Sequence, residues 1–314
     1  MSFRFINAEL NANALSVRDE PCPFFKRYNT MQTKRVPRSK ISAGSCRPAL
    51  AVVILILTIT AVAAPTPSLS ELKGMTVSFP VEGGAMSGVL FVPAWTPAPA
   101  VIVLHTKGLA VEPADVKFAE TLANEGFVAV AVNYLEGAGG KLWAPVIDER
   151  LSQVVDLLRE RPEVGDKPVG VVGFSLGAHG ILVSALNPAV KAVVVYYGAY
   201  DPRKAKGKHF GHDVKLPIDV VTEVNAAVMM LHGSLDNEVP VQIARDMEAA
   251  LKSAGKKVEL VVYPGAYHRF DRGPTARMSG NRTRDGFIYQ YDEAAEKDAR
   301  KRTIAWFHTY LDGP

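Results

Sequence analysis

The stretch Pro168-Val169-Gly170-Val171-Val172-Gly173-Phe174-Ser175-Leu176-Gly177 decides the fold. An apolar, β-branched run, the signature of a buried strand, stops abruptly at G-x-S-x-G. A serine in that pattern, straight after a strand, sits on a strained turn into a helix, the nucleophile elbow. The flanking glycines answer a steric demand, since a Cβ at either would meet the neighbouring strand or helix. Taken alone, the same residues also describe a glycine-rich strand end followed by an ordinary helix-capping serine. The rest of the chain decides between the two.

Upstream, residues 75–79 and 88–93 are two short β-rich runs around Glu82-Gly83-Gly84, an opening hairpin. Ala100–Leu104 is continuously apolar, as a strand covered on both faces must be, and it ends in His105-Thr106-Lys107-Gly108. A helical pattern runs from Pro113 to a stop at Gly126, and 127–132 is a strand ending at Asn133-Tyr134. Residues 146–158 place Val146, Leu151, Val154, Val155 and Leu158 on one helical face, and Pro162 closes that segment. Downstream, 176–186 reads as a helix, 190–196 and 226–231 as strands and 241–254 as a helix. A strand at 258–263 and a final helix at 292–311 complete the pattern. Alternating strands and helices with apolar middle strands predict an α/β domain, a mostly parallel central sheet flanked by helices, over residues 75–314.

In such a sheet, functional residues gather at the carboxyl ends of the strands. The elbow strand ends in Ser175, the 226–231 strand in His232-Gly233-Ser234-Leu235-Asp236, and the 258–263 strand in Pro264-Gly265-Ala266-Tyr267-His268. The order Ser…Asp…His is that of the hydrolases built on the elbow. A serine hydroxyl attacks a carbonyl only with a base beside it, and His268 titrates in the right range to serve. Asp236 would hold the imidazole in one tautomer and stabilise its charged form. The backbone N–H groups of Leu176 and Lys107 are the expected oxyanion donors. Glu238 is a rival for the acid. Taken singly, an Asp in Gly-Ser-Leu-Asp-Asn is turn chemistry and a His in a polar loop is solvated; three such residues in order, each just beyond a strand, favour the triad.

These motifs resemble the dienelactone hydrolase family of α/β-hydrolases. The resemblance rests on Val171 to Gly177, on Leu231-His232-Gly233 through Asp236 to Val239-Pro240, and on Tyr263-Pro264-Gly265 to His268. Val194-Val195-Tyr196-Tyr197-Gly198 adds to it, and the resemblance extends over residues 75–312. The resemblance implies the α/β-hydrolase fold and hydrolysis of a carboxylic ester without a cofactor. The chain departs from the family's namesakes in three ways: Ser175 stands for their cysteine, Thr106 stands where they keep a glutamate, and no arginine lies between Pro80 and Arg150. A serine esterase acting on a small-molecule ester is therefore the expectation. A peptidase, an acyltransferase or a non-catalytic binding module on the same scaffold are the rival readings.

The formal charge of +4 belongs to the N-terminal part of the chain. Residues 1–64 hold nine basic against three acidic residues, and the remainder 27 against 29, which leaves no electrostatic case for a nucleic-acid partner. Lys34, Arg35, Arg38, Lys40 and Arg47 precede the uncharged run 49–64, and Ala61-Val62-Ala63 offers a small-x-small cleavage site. Residues 1–64 are thus expected to be an export signal for a periplasmic or secreted protein, with 65–74 a linker and Met31 a candidate start. If uncleaved, residues 49–64 would anchor the chain to a membrane. Both cysteines, Cys22 and Cys46, precede that site, so the exported part would have no thiol chemistry.

Weaker features remain. Thr106, Tyr134, Trp143, Tyr197 and Tyr267 could line a substrate pocket, and the aromatics among them could equally be packing. His105 and His232 are expected at the floor of the site, with ring nitrogens bonded to backbone. Residues 199–223 read as a loop or small lid. His209, His212 and Asp213 within it have metal-ligand chemistry, but beside Lys204, Lys206 and Lys208 a solvated lid is the better reading, so no metal is expected. Residues 269–284 read as a solvated, basic loop rather than a flap over the site.

Overall fold

Strands with branched apolar side chains on both faces need cover on both sides. The computed structural model, which describes residues 72–108, 110–204, 214–273, 282–284 and 286–313, shows how that cover is built. Strands β1 (Met75–Val81) and β2 (Gly84–Phe91) form the antiparallel hairpin. They are followed by β3 (Ala100–Leu104), α1 (Pro113–Asn124), β4 (Val128–Val132), α2 (Pro145–Arg159) and β5 (Val169–Phe174). After the elbow come α3 (His179–Leu186), β6 (Val190–Tyr196), β7 (Ala227–Gly233), α4 (Val241–Ser253) and β8 (Val258–Tyr263). A two-stranded hairpin, β9 (Arg282–Arg284) with β10 (Phe287–Tyr289), precedes the last helix, α5 (Glu293–Leu311).

The main sheet has the order β1-β2-β4-β3-β5-β6-β7-β8. β2 is antiparallel to both β1 and β4, and every pairing from β4 to β8 is parallel. Successive residues of a strand point to opposite faces, so each middle strand feeds two cores. Val101 and Val103 belong to one core with Leu122 of α1 and Phe307 of α5, whereas Ile102 and Leu104 belong to the other with Leu151 of α2, Ile181 of α3 and Met247 of α4. Burial of each such side chain contributes roughly 1.5–3 kcal/mol. The α/β-hydrolase arrangement follows: three layers, with the carboxyl ends of β3, β5, β7 and β8 along one edge.

Local signals set the helix boundaries. Pro113 opens α1, where Glu112 N–H donates to Asp115 Oδ2 at 2.8 Å, and Asp292 caps α5 by accepting from Ala295 N at 3.0 Å. Two features differ from the sequence expectation. The helix after the elbow begins with a 3₁₀ turn, Ser175–Ala178, because the chain must reverse before it can wind into α3. The polar stretch between β8 and α5 contains β9 and β10, whose three-residue strands are too short to show a period. Among the described residues no helix is long and apolar enough to cross a membrane. The leader 1–64, linker residues 65–71, Cys22, Cys46, His209, His212 and Asp213 lie outside the described residues.

Candidate active site

The elbow is a steric consequence of its sequence. β5 ends at Phe174, and Ser175 takes a left-handed φ of +56°, strained for a residue with a Cβ. A Cβ on Gly173 would stand 2.0 Å from the Gly177 carbonyl oxygen, and one on Gly177 would stand 2.8 Å from that of Leu104. Both obstacles are backbone, which no side-chain rotation relieves. Gly173→Ala is therefore expected to cost on the order of 4 kcal/mol or more, read by chemical denaturation of the variant. A folded variant with the wild-type midpoint would contradict the packing described here.

The turn brings three elements together. Ser175 Oγ lies 3.1 Å from His268 Nε2, and His268 Nδ1 lies 2.7 Å from Asp236 Oδ2. All three side chains are buried. Asp236 is held in place by the loop after β7, its Oδ1 accepting from Glu238 N at 3.0 Å and Val239 N at 2.8 Å. A carboxylate only accepts, so His268 Nδ1 carries the proton and the Nε2 lone pair faces the Ser175 hydroxyl. Burial pushes the Asp236 carboxyl up, but the charge on His268 and hydrogen bonds from His232 and His268 outweigh it and hold the group far below the usual carboxylate range. Such a series can carry a proton from hydroxyl to ring, with a fixed anion behind the ring.

Thr106, Lys107, Glu238, Arg269 and Tyr289 close around Ser175 and His268 to leave a cavity of about 10 Å³. That is room for roughly one water. Lys107, in the loop after β3, lines this cavity, and its ammonium pairs with Glu238. Leu176 is the first residue of the 3₁₀ turn after Ser175. Glu238 stands on the other side of the imidazole from Asp236, with Oε2 3.6 Å from Nε2. The nitrogen it faces is the one that faces Ser175, so it is not placed to orient the ring through Nδ1. Among the described residues no group of three or more His, Cys, Asp or Glu side chains is arranged to hold a metal ion.

Of the residues singled out for a pocket, Thr106 lines this cavity and the aromatics do not. Tyr134 is fully buried and donates its hydroxyl to the His105 carbonyl at 3.1 Å. Trp143 stacks on His179 with ring centroids 4.5 Å apart, and His179 Nδ1 lies 2.6 Å from Asp148. Tyr197 donates to Asp271 Oδ1 at 2.6 Å, and its buried ring packs 4.6 Å from that of His268, supporting the imidazole from behind. Tyr267 is partly buried and outside the cavity lining. The sequence shows that an aromatic follows a strand, but not which way its ring turns.

The start of the 269–284 loop is a correction as well: Arg269 is 6% exposed and Arg272 2%, so neither is solvated. Arg269 donates to Glu112 Oε2 at 2.7 Å and Arg272 to Asp115 Oδ1 at 2.7 Å, which ties the His268 loop to the first turn of α1. The arginines had no visible partner in sequence because their acids lie 157 positions upstream. Residues 274–281 lie outside the described residues. Tyr289 was not singled out by its sequence context; it reaches the site through a bridge between β10 and His268.

His105 and His232 are fully buried at the floor of the site, where His105 Nδ1 is 2.6 Å from Thr106 O and His232 Nε2 is 2.8 Å from Val239 O. Desolvation lowers the His105 pKa from its ordinary 6.5, more than the Thr106 hydrogen bond raises it. The unfolded chain then binds more protons below pH 6.5. The contribution of His105 to stability is full above that value and is lost as pH falls through the folded one. Thermal midpoints should drop more steeply from pH 7 to 5.5 for wild type than for His105→Asn; equal slopes would contradict this assignment.

Comparison with known proteins places these observations. The model of the dienelactone hydrolase family matches residues 86–311. A candidate carboxymethylenebutenolidase of Escherichia coli O157:H7 is 33% identical over 141 residues, 45% of each chain, so the matched stretch spans less than half of that relative. Another, from Methylorubrum extorquens, is 27% identical over 81% of this chain and 88% of its own length. Among solved structures, a candidate dienelactone hydrolase of Klebsiella pneumoniae superposes with a TM-score of 0.62 at 25% identity, covering 77% of this chain and all of that one. A puromycin-hydrolyzing peptidase of Mycobacterium tuberculosis, 15% identical over 80% of this chain and 41% of its own, shares the fold with a TM-score of 0.62.

Proposed function

The chain belongs to the dienelactone hydrolase family, and on that premise we propose that it is a serine hydrolase that cleaves a small-molecule carboxylic ester through an acyl-enzyme. The observation that carries the reading is the series Ser175 Oγ, His268, Asp236, at 3.1 and 2.7 Å. The names of the relatives, which specify carboxymethylenebutenolidase and dienelactone hydrolase, support an ester or lactone bond as the target.

In this reading Ser175 Oγ attacks the carbonyl carbon as its proton passes to His268 Nε2. Asp236 stabilises the imidazolium. The backbone N–H groups of Leu176 and Lys107 hold the oxyanion. The imidazolium then protonates the leaving alkoxide, the ester C–O bond breaks, and the acyl group stays on Oγ. A water gives its proton to Nε2 and attacks the acyl carbon; the bond to Oγ breaks, the acid leaves, and Oγ takes the proton back. No cofactor enters this sequence. The cavity favours a small acyl group, because bulk would have to displace Lys107.

The basic leader and the run 49–64 support export, with membrane anchoring as the alternative if the segment stays. N-terminal sequencing of the mature protein should begin after Ala63; a protein that retains residues 1–63 would contradict cleavage. For the activity itself, the test is turnover of p-nitrophenyl acetate and butyrate by the purified protein. Release of p-nitrophenolate in proportion to enzyme is the expected result. A folded protein that releases none from any short-chain ester would overturn the reading.

A further inference from the structure

Two carboxylates face His268 on different nitrogens. Asp236 takes Nδ1, whereas Glu238 Oε2 stands 3.6 Å from Nε2, on the side where Ser175 lies and substrate must enter. The acyl-transfer steps use the first and leave the second without a task. Glu238 is held by the Tyr289 hydroxyl at 2.6 Å and by the Lys107 ammonium. The two halves of the ion pair differ in burial: the Glu238 side chain is 6% exposed and that of Lys107 50%. Burial pushes the Glu238 carboxyl up, but the His268 charge and the hydrogen bonds from Lys107 and Tyr289 outweigh it and lower its pKa, so the group is an anion at neutral pH.

This asymmetry sets what an incoming ester meets. The pair borders a cavity that holds little more than a water, so substrate reaches Ser175 by displacing the Lys107 ammonium, which sits half in solvent on a flexible stem. Glu238 cannot leave with it. A substrate carboxylate would draw Lys107 to itself, stripping a buried anion of its partner and adding a second negative charge beside it. A substrate cation takes the place of the ammonium, so Glu238 stays paired while Lys107 goes to water. Arg269 also lines the cavity, and its guanidinium is already paired with a carboxylate, Nη2 donating to Glu112 Oε2 at 2.7 Å.

We propose that Glu238 determines specificity at this site, selecting esters that carry a positive charge close to the scissile carbonyl and rejecting those that carry a carboxylate there. The proposal rests on the ester-hydrolase reading of Ser175. The test compares acetylcholine, its uncharged isostere 3,3-dimethylbutyl acetate, and 3-acetoxypropanoate, by acid release in a pH-stat. Wild type should show kcat/KM about tenfold higher for the cation than for the neutral ester, and about tenfold lower for the anion. Glu238→Gln should bring all three within about threefold of one another. Should that variant fail to fold, Lys107→Met serves instead: it leaves Glu238 without its own cation and should raise the ratio of cationic to neutral ester. Turnover of the neutral ester with no cation preference, or with the anion preferred, would overturn the proposal while leaving the serine-hydrolase reading intact. Turnover of no ester at all would sink both.

Discussion

Ser175→Ala should lose about 10⁴-fold or more in kcat/KM on any ester the wild type hydrolyses, with its thermal midpoint nearly unchanged. The size of the loss follows from what Oγ does. In the proposed mechanism it supplies the bond to the acyl carbon and the proton that His268 passes on. The described chain contains no cysteine. Thr106 also brings a hydroxyl to the cavity lining, but none of the hydrogen bonds found for His268 goes to it. Residual activity in the proposed mechanism would come from the oxyanion donors and from binding. Stability should hold because alanine keeps the Cβ that already tolerates a φ of +56° and removes one hydroxyl. Steady-state kinetics beside circular dichroism separate the two effects. A variant within tenfold of wild type would place the nucleophile elsewhere.

Asp236→Asn is expected to cost about 10³- to 10⁴-fold in kcat, for a different reason. The asparagine oxygen would keep the two backbone donors that Asp236 Oδ1 now satisfies, Glu238 N and Val239 N. Its NH₂ then faces His268 Nδ1, which must accept rather than donate. The ring proton moves to Nε2 and points at Ser175, where a lone pair is required. Glu238 cannot repair this, since it faces Nε2 at 3.6 Å and not Nδ1. Glu238→Gln should therefore lose far less kcat on a neutral ester than Asp236→Asn. The reverse ranking, measured on the same ester, would make Glu238 the acid of the site.

The parts of the molecule that local chemistry dictates were legible in the sequence. β3 and β5 are apolar without interruption because both faces are covered, and β6 is broken only by the exposed Lys191 at its start, so their extents follow from composition. Ser175, Asp236 and His268 each come just after a strand, and a parallel sheet sends those ends to one edge, which is why the sequence could anticipate that they meet. What stayed hidden depends on side-chain direction and on long-range partners. Tyr134 comes just after β4 and Trp143 just before α2, where binding aromatics could stand, yet their rings turn into the core against His105 and His179. Arg269 and Arg272 read as solvent-exposed until Glu112 and Asp115 are seen beside them. Glu238 was visible as a carboxylate near the acid position, but which imidazole nitrogen it faces is set by the β7 loop and by Tyr289 from β10.

The most direct test of the central claim is covalent labelling of the purified protein with a fluorophosphonate, read by intact mass and then by peptide mapping. The phosphonyl group reports a serine made nucleophilic by its base, independent of the natural ester. One adduct per chain on the peptide that contains Ser175, absent from Ser175→Ala, is the predicted result. A folded wild-type protein that takes no label, or takes it on another residue, would contradict the account.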